Sequence, residues 1–114
     1  RQMCIRDRAI PIHKLLVANK VSVLFLGHDH LYARQELDGV VYQQTPVPAD
    51  PTFTAFNRDA YTSGVIHPNS GYLRVKVTPA AARVEYVRSL LAKDATAARR
   101  NGQVVHAYTV PARA

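Results

Sequence analysis

The chain has 114 residues, 47% of them hydrophobic, with 15 Lys and Arg against 8 Asp and Glu, a formal net charge of +7. That length allows one small domain, and that apolar fraction is enough for a core and too high for wholesale disorder. No run approaches the roughly 18 apolar residues of a membrane-spanning helix.

Residues 1–8, Arg1-Gln2-Met3-Cys4-Ile5-Arg6-Asp7-Arg8, carry neither a helical nor a strand period. The octet resembles a translated transposon-end sequencing adapter, a contaminant of read edges, and is expected to be no part of the native fold. The competing reading is a short basic arm. Without its three Arg and one Asp, 12 basic and 7 acidic residues remain, or +5. The octet also holds Cys4, the only cysteine, so the remainder has neither disulfide nor thiolate chemistry. An adapter at this edge implies coding sequence further upstream. The compartment therefore stays open, secretion or the periplasm included.

Residues 9–20 read as a helix with Ile10, His13, Leu16 and Val17 on one face and Leu15 beside them. Pro11 suits its first turn and Asn19-Lys20 its end. Val21-Ser22-Val23-Leu24-Phe25-Leu26 is a short, nearly continuous apolar run, expected to be a strand buried on both faces. Helix, short turn and buried strand make half of an α/β unit. Residues 31–36 lead away from that strand. Asp38-Gly39 is a turn signal before a strand at residues 40–44. Residues 45–61 are rich in Pro, Asp, Asn and Thr and read as a long loop of the kind that often carries function. Asn69-Ser70-Gly71 is a further turn. Residues 72–77 and 82–88 alternate strictly and form an antiparallel hairpin through Thr78-Pro79-Ala80-Ala81, with one wet face. Residues 90–101 read as loop or marginal helix, and residues 103–110 as a last strand.

Gly27-His28-Asp29-His30 sits at the C-terminal end of the apolar strand, where open α/β sheets place ligand sites. Neutral imidazole suits Zn, Fe and Mn. Two His separated by one residue at a strand end can fan toward two neighbouring points, such as metals about 3.5–4 Å apart. Gly27 leaves room for close backbone approach or an unusual φ. With 5 Gly and 5 His in 114 residues, Gly-His-x-His arises by chance in about 1 in 100 such chains. The motif needs its context to carry weight.

That context is Val23-Leu24-Phe25-Leu26-Gly27-His28-Asp29-His30-Leu31-Tyr32-Ala33-Arg34. It resembles the last metal-binding block of calcineurin-like metallophosphoesterases, and the trailing Tyr32 and Arg34 are similar to the purple-acid-phosphatase-like branch. The preceding helix and the segments 38–42 and 69–75 look like the family's helix and C-terminal strands. The resemblance covers most of residues 9–88. It implies an α/β fold, the C-terminal part of the family's αββα sandwich, with one helix and a mostly mixed or antiparallel set of strands. Residues 9–90 would belong to the catalytic domain and residues 91–114 would be a C-terminal loop and short terminal strand.

By the same resemblance His28 binds one metal and His30 the other, in a centre of two divalent or trivalent ions (Fe, Zn or Mn). Such a centre polarises a phosphoester and activates water for in-line attack. The family's Asp-x-His, Gly-Asp-x-x-Asp and Gly-Asn-His-Asp/Glu blocks and a further upstream His are not in this sequence. No catalytic residue is assigned, and the chain alone is expected to lack phosphatase activity. Arg34 could meet a phosphate by a bidentate contact, or pair with Glu36 or Asp38. His67 could line the site, or be an ordinary loop histidine. His13 is expected in a core or surface role, His106 on a solvent-facing strand position, and Asp29 as a residue that orients a neighbour. The expected partner is a phosphoester substrate, small or macromolecular, nucleic acid included. Two other readings are a basic nucleic-acid-binding module and a metal-free interaction domain of the same fold. Scattered basic residues without an aromatic–basic stripe weigh against the first.

Overall fold

A computed structural model describes residues 10–50, 52–55 and 57–113. The octet 1–8 lies outside them. The chain forms a small mixed α/β domain of one helix and two sheets. No helix among the described residues is long and apolar enough to cross a membrane.

Helix α1 spans Ile12–Ala18 behind Pro11, shorter at both ends than the periodicity predicts. Lys20 explains its stop. It adopts φ 56°, its N–H bonds the Val17 carbonyl and the Val21 N–H bonds the Leu16 carbonyl. This left-handed residue with paired back-bonds satisfies carbonyls that a helix end would leave open. The Asn19 side chain adds a bond to the Leu15 carbonyl at 2.8 Å. His13, Leu16 and Val17 are half-buried as the helical face requires, whereas Ile10 and Leu15 are exposed.

The first sheet contains β1 (Val23–Leu26), β2 (Tyr32–Leu37), β3 (Val40–Gln44) and β4 (Val65–His67) in the order β1-β3-β2-β4. β1 runs parallel to β3; β2 is antiparallel to both β3 and β4. Asp38 (φ 53°) and Gly39 (φ 82°) form the two-residue β2–β3 turn, both left-handed, as a tight hairpin demands. Two of these strands were not expected. The sequence has residues 31–36 leading away from β1 and assigns no strand to residues 65–67. Both segments are short, and their pairing with each other is a tertiary choice that periodicity does not encode.

The expectation that β1 is buried on both faces is overturned. Phe25 is 45% and Leu26 38% exposed. Among the described residues β1 is an edge strand paired by β3 alone, which leaves these two side chains partly open.

The second sheet is antiparallel, with β5 (Gly71–Val77), β6 (Ala81–Arg88) and β7 (Val104–Pro111) in sequence order. The β5–β6 hairpin closes where the sequence places it, with the Thr78 N–H on the Ala81 carbonyl at 2.8 Å. Of residues 90–101, only Ala92–Asp94 is helical, as a 3-10 turn.

The sheets meet across a layer of aromatic and imidazole rings. Tyr32 of β2 stacks on Tyr86 of β6 with centroids 4.8 Å apart and planes 7° off parallel. Both are fully buried, and such a pair contributes about 1 kcal/mol beyond its area. The phenol hydroxyls of the layer are satisfied, whereas the buried Arg34 Nε has no hydrogen-bond partner among the described residues. Tyr86 donates to the Pro68 carbonyl at 2.6 Å, Tyr108 to Gln43 Oε1 at 2.8 Å, and the Tyr32 hydroxyl meets His106 Nδ1 at 2.7 Å. Buried Gln43 donates in turn to the carbonyls of Ala33 and Gln44. His106 is thus half-buried between the sheets rather than solvent-facing. Strict alternation marks which residues share a face, but not which face the other sheet covers.

Candidate functional site

Gly27-His28-Asp29-His30 bridges the end of β1 and the start of β2. Its backbone is pinned from three directions. The Thr45 N–H bonds the Leu26 carbonyl at 2.8 Å, Gln44 Nε2 bonds the Asp29 carbonyl at 3.0 Å, and Asn69 Nδ2 bonds the His30 carbonyl. The Leu31 N–H folds back on the Asp29 carbonyl at 2.9 Å.

His28 adopts φ +112°, which an L-residue occupies at a cost of about 1–3 kcal/mol. The sequence places any unusual φ at Gly27. The structure puts it on His28, and a Cβ added at Gly27 would meet nothing within 4 Å. Close backbone approach at Gly27 is therefore not what the structure uses. His28 and His30 are exposed, and neither ring hydrogen-bonds to another described residue.

Asp29 points elsewhere. Its Oδ2 accepts from the Tyr61 hydroxyl at 2.6 Å and its Oδ1 from Asn57 Nδ2 at 3.2 Å. The Tyr61 bond is the main reason its carboxyl lies below the usual range, with Asn57 and the two flanking imidazoles adding to the effect against modest desolvation. Burial, with help from Asp29, pushes the Tyr61 phenol up. Tyr61 and Asn57 both come from the long loop 45–61, which thereby folds onto the motif.

Asn69 organises the other flank. It is fully buried. Its Oδ1 accepts from the Val47 N–H at 2.8 Å, and its Nδ2 is shared between the His30 carbonyl and Asp50 Oδ2, the latter at 3.2 Å. Asp50 also accepts from the Thr52 N–H at 2.8 Å and the Thr52 hydroxyl at 2.5 Å. The Thr52 hydroxyl is the largest influence holding its carboxyl low, and nearby His30 adds to it.

The other singled-out residues lie apart from this loop. Arg34 pairs with Glu36 at 3.1 Å and sits 4.5 Å over the Tyr108 ring. His67 faces Tyr32 at 5.7 Å and His106 at 5.8 Å between ring centroids. Burial is the main cause that lowers the pKa of both His67 and His106. His13 bonds the Tyr42 hydroxyl and, at 2.8 Å, Asp38, in keeping with a structural role.

The structure therefore brings His28, His30 and Asp29 together and places Arg34 and His67 in or beside the interlayer. Asn69, Tyr61, Asp50 and Gln44 support the loop, and sequence reading did not single them out. Asn69 and Gln44 carried a usable signal as polar residues within or beside strands; Tyr61 carried none. Among the described residues no group of three or more His, Cys, Asp or Glu side chains gathers to hold a metal ion. The two accessible imidazoles suit Fe, Zn or Mn as donors, while the Asp29 carboxylate is engaged by protein donors. The chain matches no protein-family model, and no curated protein matches it.

Proposed function

We propose that the chain is the C-terminal part of a calcineurin-like metallophosphoesterase, of the purple-acid-phosphatase-like kind, and that His28 and His30 are its contribution to a two-metal centre. The observation that carries this reading is the loop itself. Its backbone is anchored by Gln44, Asn69 and Thr45, His28 holds a costly φ, and both imidazoles stay exposed without a hydrogen bond to any described residue. Strained residues kept by a well-determined surround are a mark of functional sites. Asp29 faces Tyr61, so its role is to fix the loop between the two imidazoles.

In such a centre the metals orient a phosphoester and polarise its phosphoryl oxygens. His28 and His30 supply neutral nitrogen donors from a preformed loop. Two imidazoles are too few for a dinuclear site. On this reading the remaining donors, including the bridging carboxylate, come from residues outside this sequence, and the 114-residue chain has no phosphatase activity. The β1 edge with exposed Phe25 and Leu26 is consistent with further structure beside it.

Two measurements test the proposal. Titration with Zn or Mn, read on the imidazole NMR signals, should perturb His28 and His30 together at weak affinity, with the effect lost in H28A/H30A. Selective response at another histidine would refute the assignment. Sequence of the gene upstream of residue 9 should encode the Asp-x-His, Gly-Asp-x-x-Asp and Gly-Asn-His blocks; their absence from an intact open frame would refute the family reading.

A further inference from the structure

Beside the His30 flank lies a cavity of about 340 Å³. Its apolar walls include Pro48, Phe53, Leu90 and Leu91, and its charged lining is Asp50 and Asp94. Asp50 ties this cavity to the motif, since it shares the Asn69 amide with the His30 carbonyl. The neutral polar groups of the lining are largely spent on the fold. The hydroxyls of Ser70 and Ser89 both donate to the Pro48 carbonyl, at 2.8 and 2.7 Å, and Asn101 Oδ1 accepts from the Leu90 N–H at 3.2 Å. No Lys or Arg is among the described lining residues, and the Arg99 guanidinium stacks 4.0 Å over the ring of lining residue Phe53.

The volume is at the lower end for a small-molecule pocket and fits one ring or a short branched chain. Two carboxylates without a lining cation repel a phosphate and favour a positive charge. Both charged groups among the described lining residues are therefore negative. We infer that this cavity takes an ammonium group carried on an aromatic or aliphatic body. This rests on the phosphoesterase reading only for its place in a reaction: there the occupant is the alcohol half of the substrate, so the substrate class is a phosphate ester of an amino alcohol. The phosphoryl group would lie toward His28 and His30, outside the acidic cavity.

The test is a titration of the 15N-labelled full chain with phenethylammonium, 2-phenylethanol and phenylacetate. Phenethylammonium should shift the amides of Phe53, Leu91 and Asn101 saturably, with 2-phenylethanol about fivefold weaker and phenylacetate weaker still. D94N should reduce the advantage of the ammonium over the alcohol while both still bind. Equal binding of all three ligands, or shifts confined to other surfaces, would overturn the inference. The wild-type ligand series decides the matter without any variant. Metal titration at His28 and His30 reads the phosphoesterase proposal separately, so failure of one is distinguishable from failure of the other.

Discussion

Replacement of Asn69 by Ala tests whether one buried amide holds the histidine loop in place. Asn69 is 0% exposed and serves three chain segments: the Val47 N–H, the His30 carbonyl and the Asp50 carboxylate. Truncation removes all three bonds. A neutral bond is worth about 1 kcal/mol and one to a charged group up to about 3, with the Asp50 contribution reduced because that carboxylate keeps Thr52. The expected loss is about 3 kcal/mol, a large part of the roughly 5–15 kcal/mol that holds a domain together. Urea unfolding should report it, and the melting temperature should fall by roughly 12–24 °C. N69D separates the bonds from the packing. It keeps an acceptor for Val47 but presents an oxygen to the His30 carbonyl and to Asp50. The new carboxyl's folded pKa is raised, so its penalty is largest at neutral pH and diminishes as the pH falls and it protonates. Loss of less than about 1 kcal/mol in N69A, or a pH-independent N69D, would refute the reasoning.

The φ of His28 predicts that H28G gains about 1 kcal/mol, as relief of strain exceeds the entropy cost of glycine; unchanged or lower stability in urea unfolding would count against strain. A Cβ at Gly71 would collide with the Tyr86 ring and the Val87 carbonyl, so G71A should cost about 1–3 kcal/mol by the same assay. His67 and His106 have folded pKa values below their ordinary 6.5. The unfolded chain therefore binds more protons below that value, and stability should be level above about pH 6.5 and fall as the pH drops beneath it. Urea midpoints across that range should show the slope, and H67N/H106Q should flatten it.

Local signals in the sequence were accurate where local chemistry decides. Asp38-Gly39 needed two left-handed residues and forms the tight turn. The alternating segments 72–77 and 82–88 pair as the hairpin their period demands. Reading failed where the outcome depends on partners distant in the chain. The apolar run at residues 23–26 gives no indication that β1 is an edge, and nothing near His106 reveals that Tyr32, 74 residues away in sequence, will bond it. The site was legible in part for the same reason. The His-x-His pair is contiguous, whereas its supports arrive from residues 44, 45, 57, 61 and 69. Asn69-Ser70-Gly71 reads as a turn, and only the fold makes Asn69 a bracket between three segments.

Asn69 also bears on the order in which the molecule assembles. β4 pairs with β2 through Tyr32 and His67, and Asn69 follows two residues later. The amide can reach His30 and Val47 only after that pairing of distant segments has closed a long loop, which is entropically slow. The histidine loop should therefore acquire its final geometry after the main folding barrier. Substitutions at Asn69 should accelerate unfolding and leave the refolding rate nearly unchanged. On that account the two imidazoles reach their native arrangement last and lose it first.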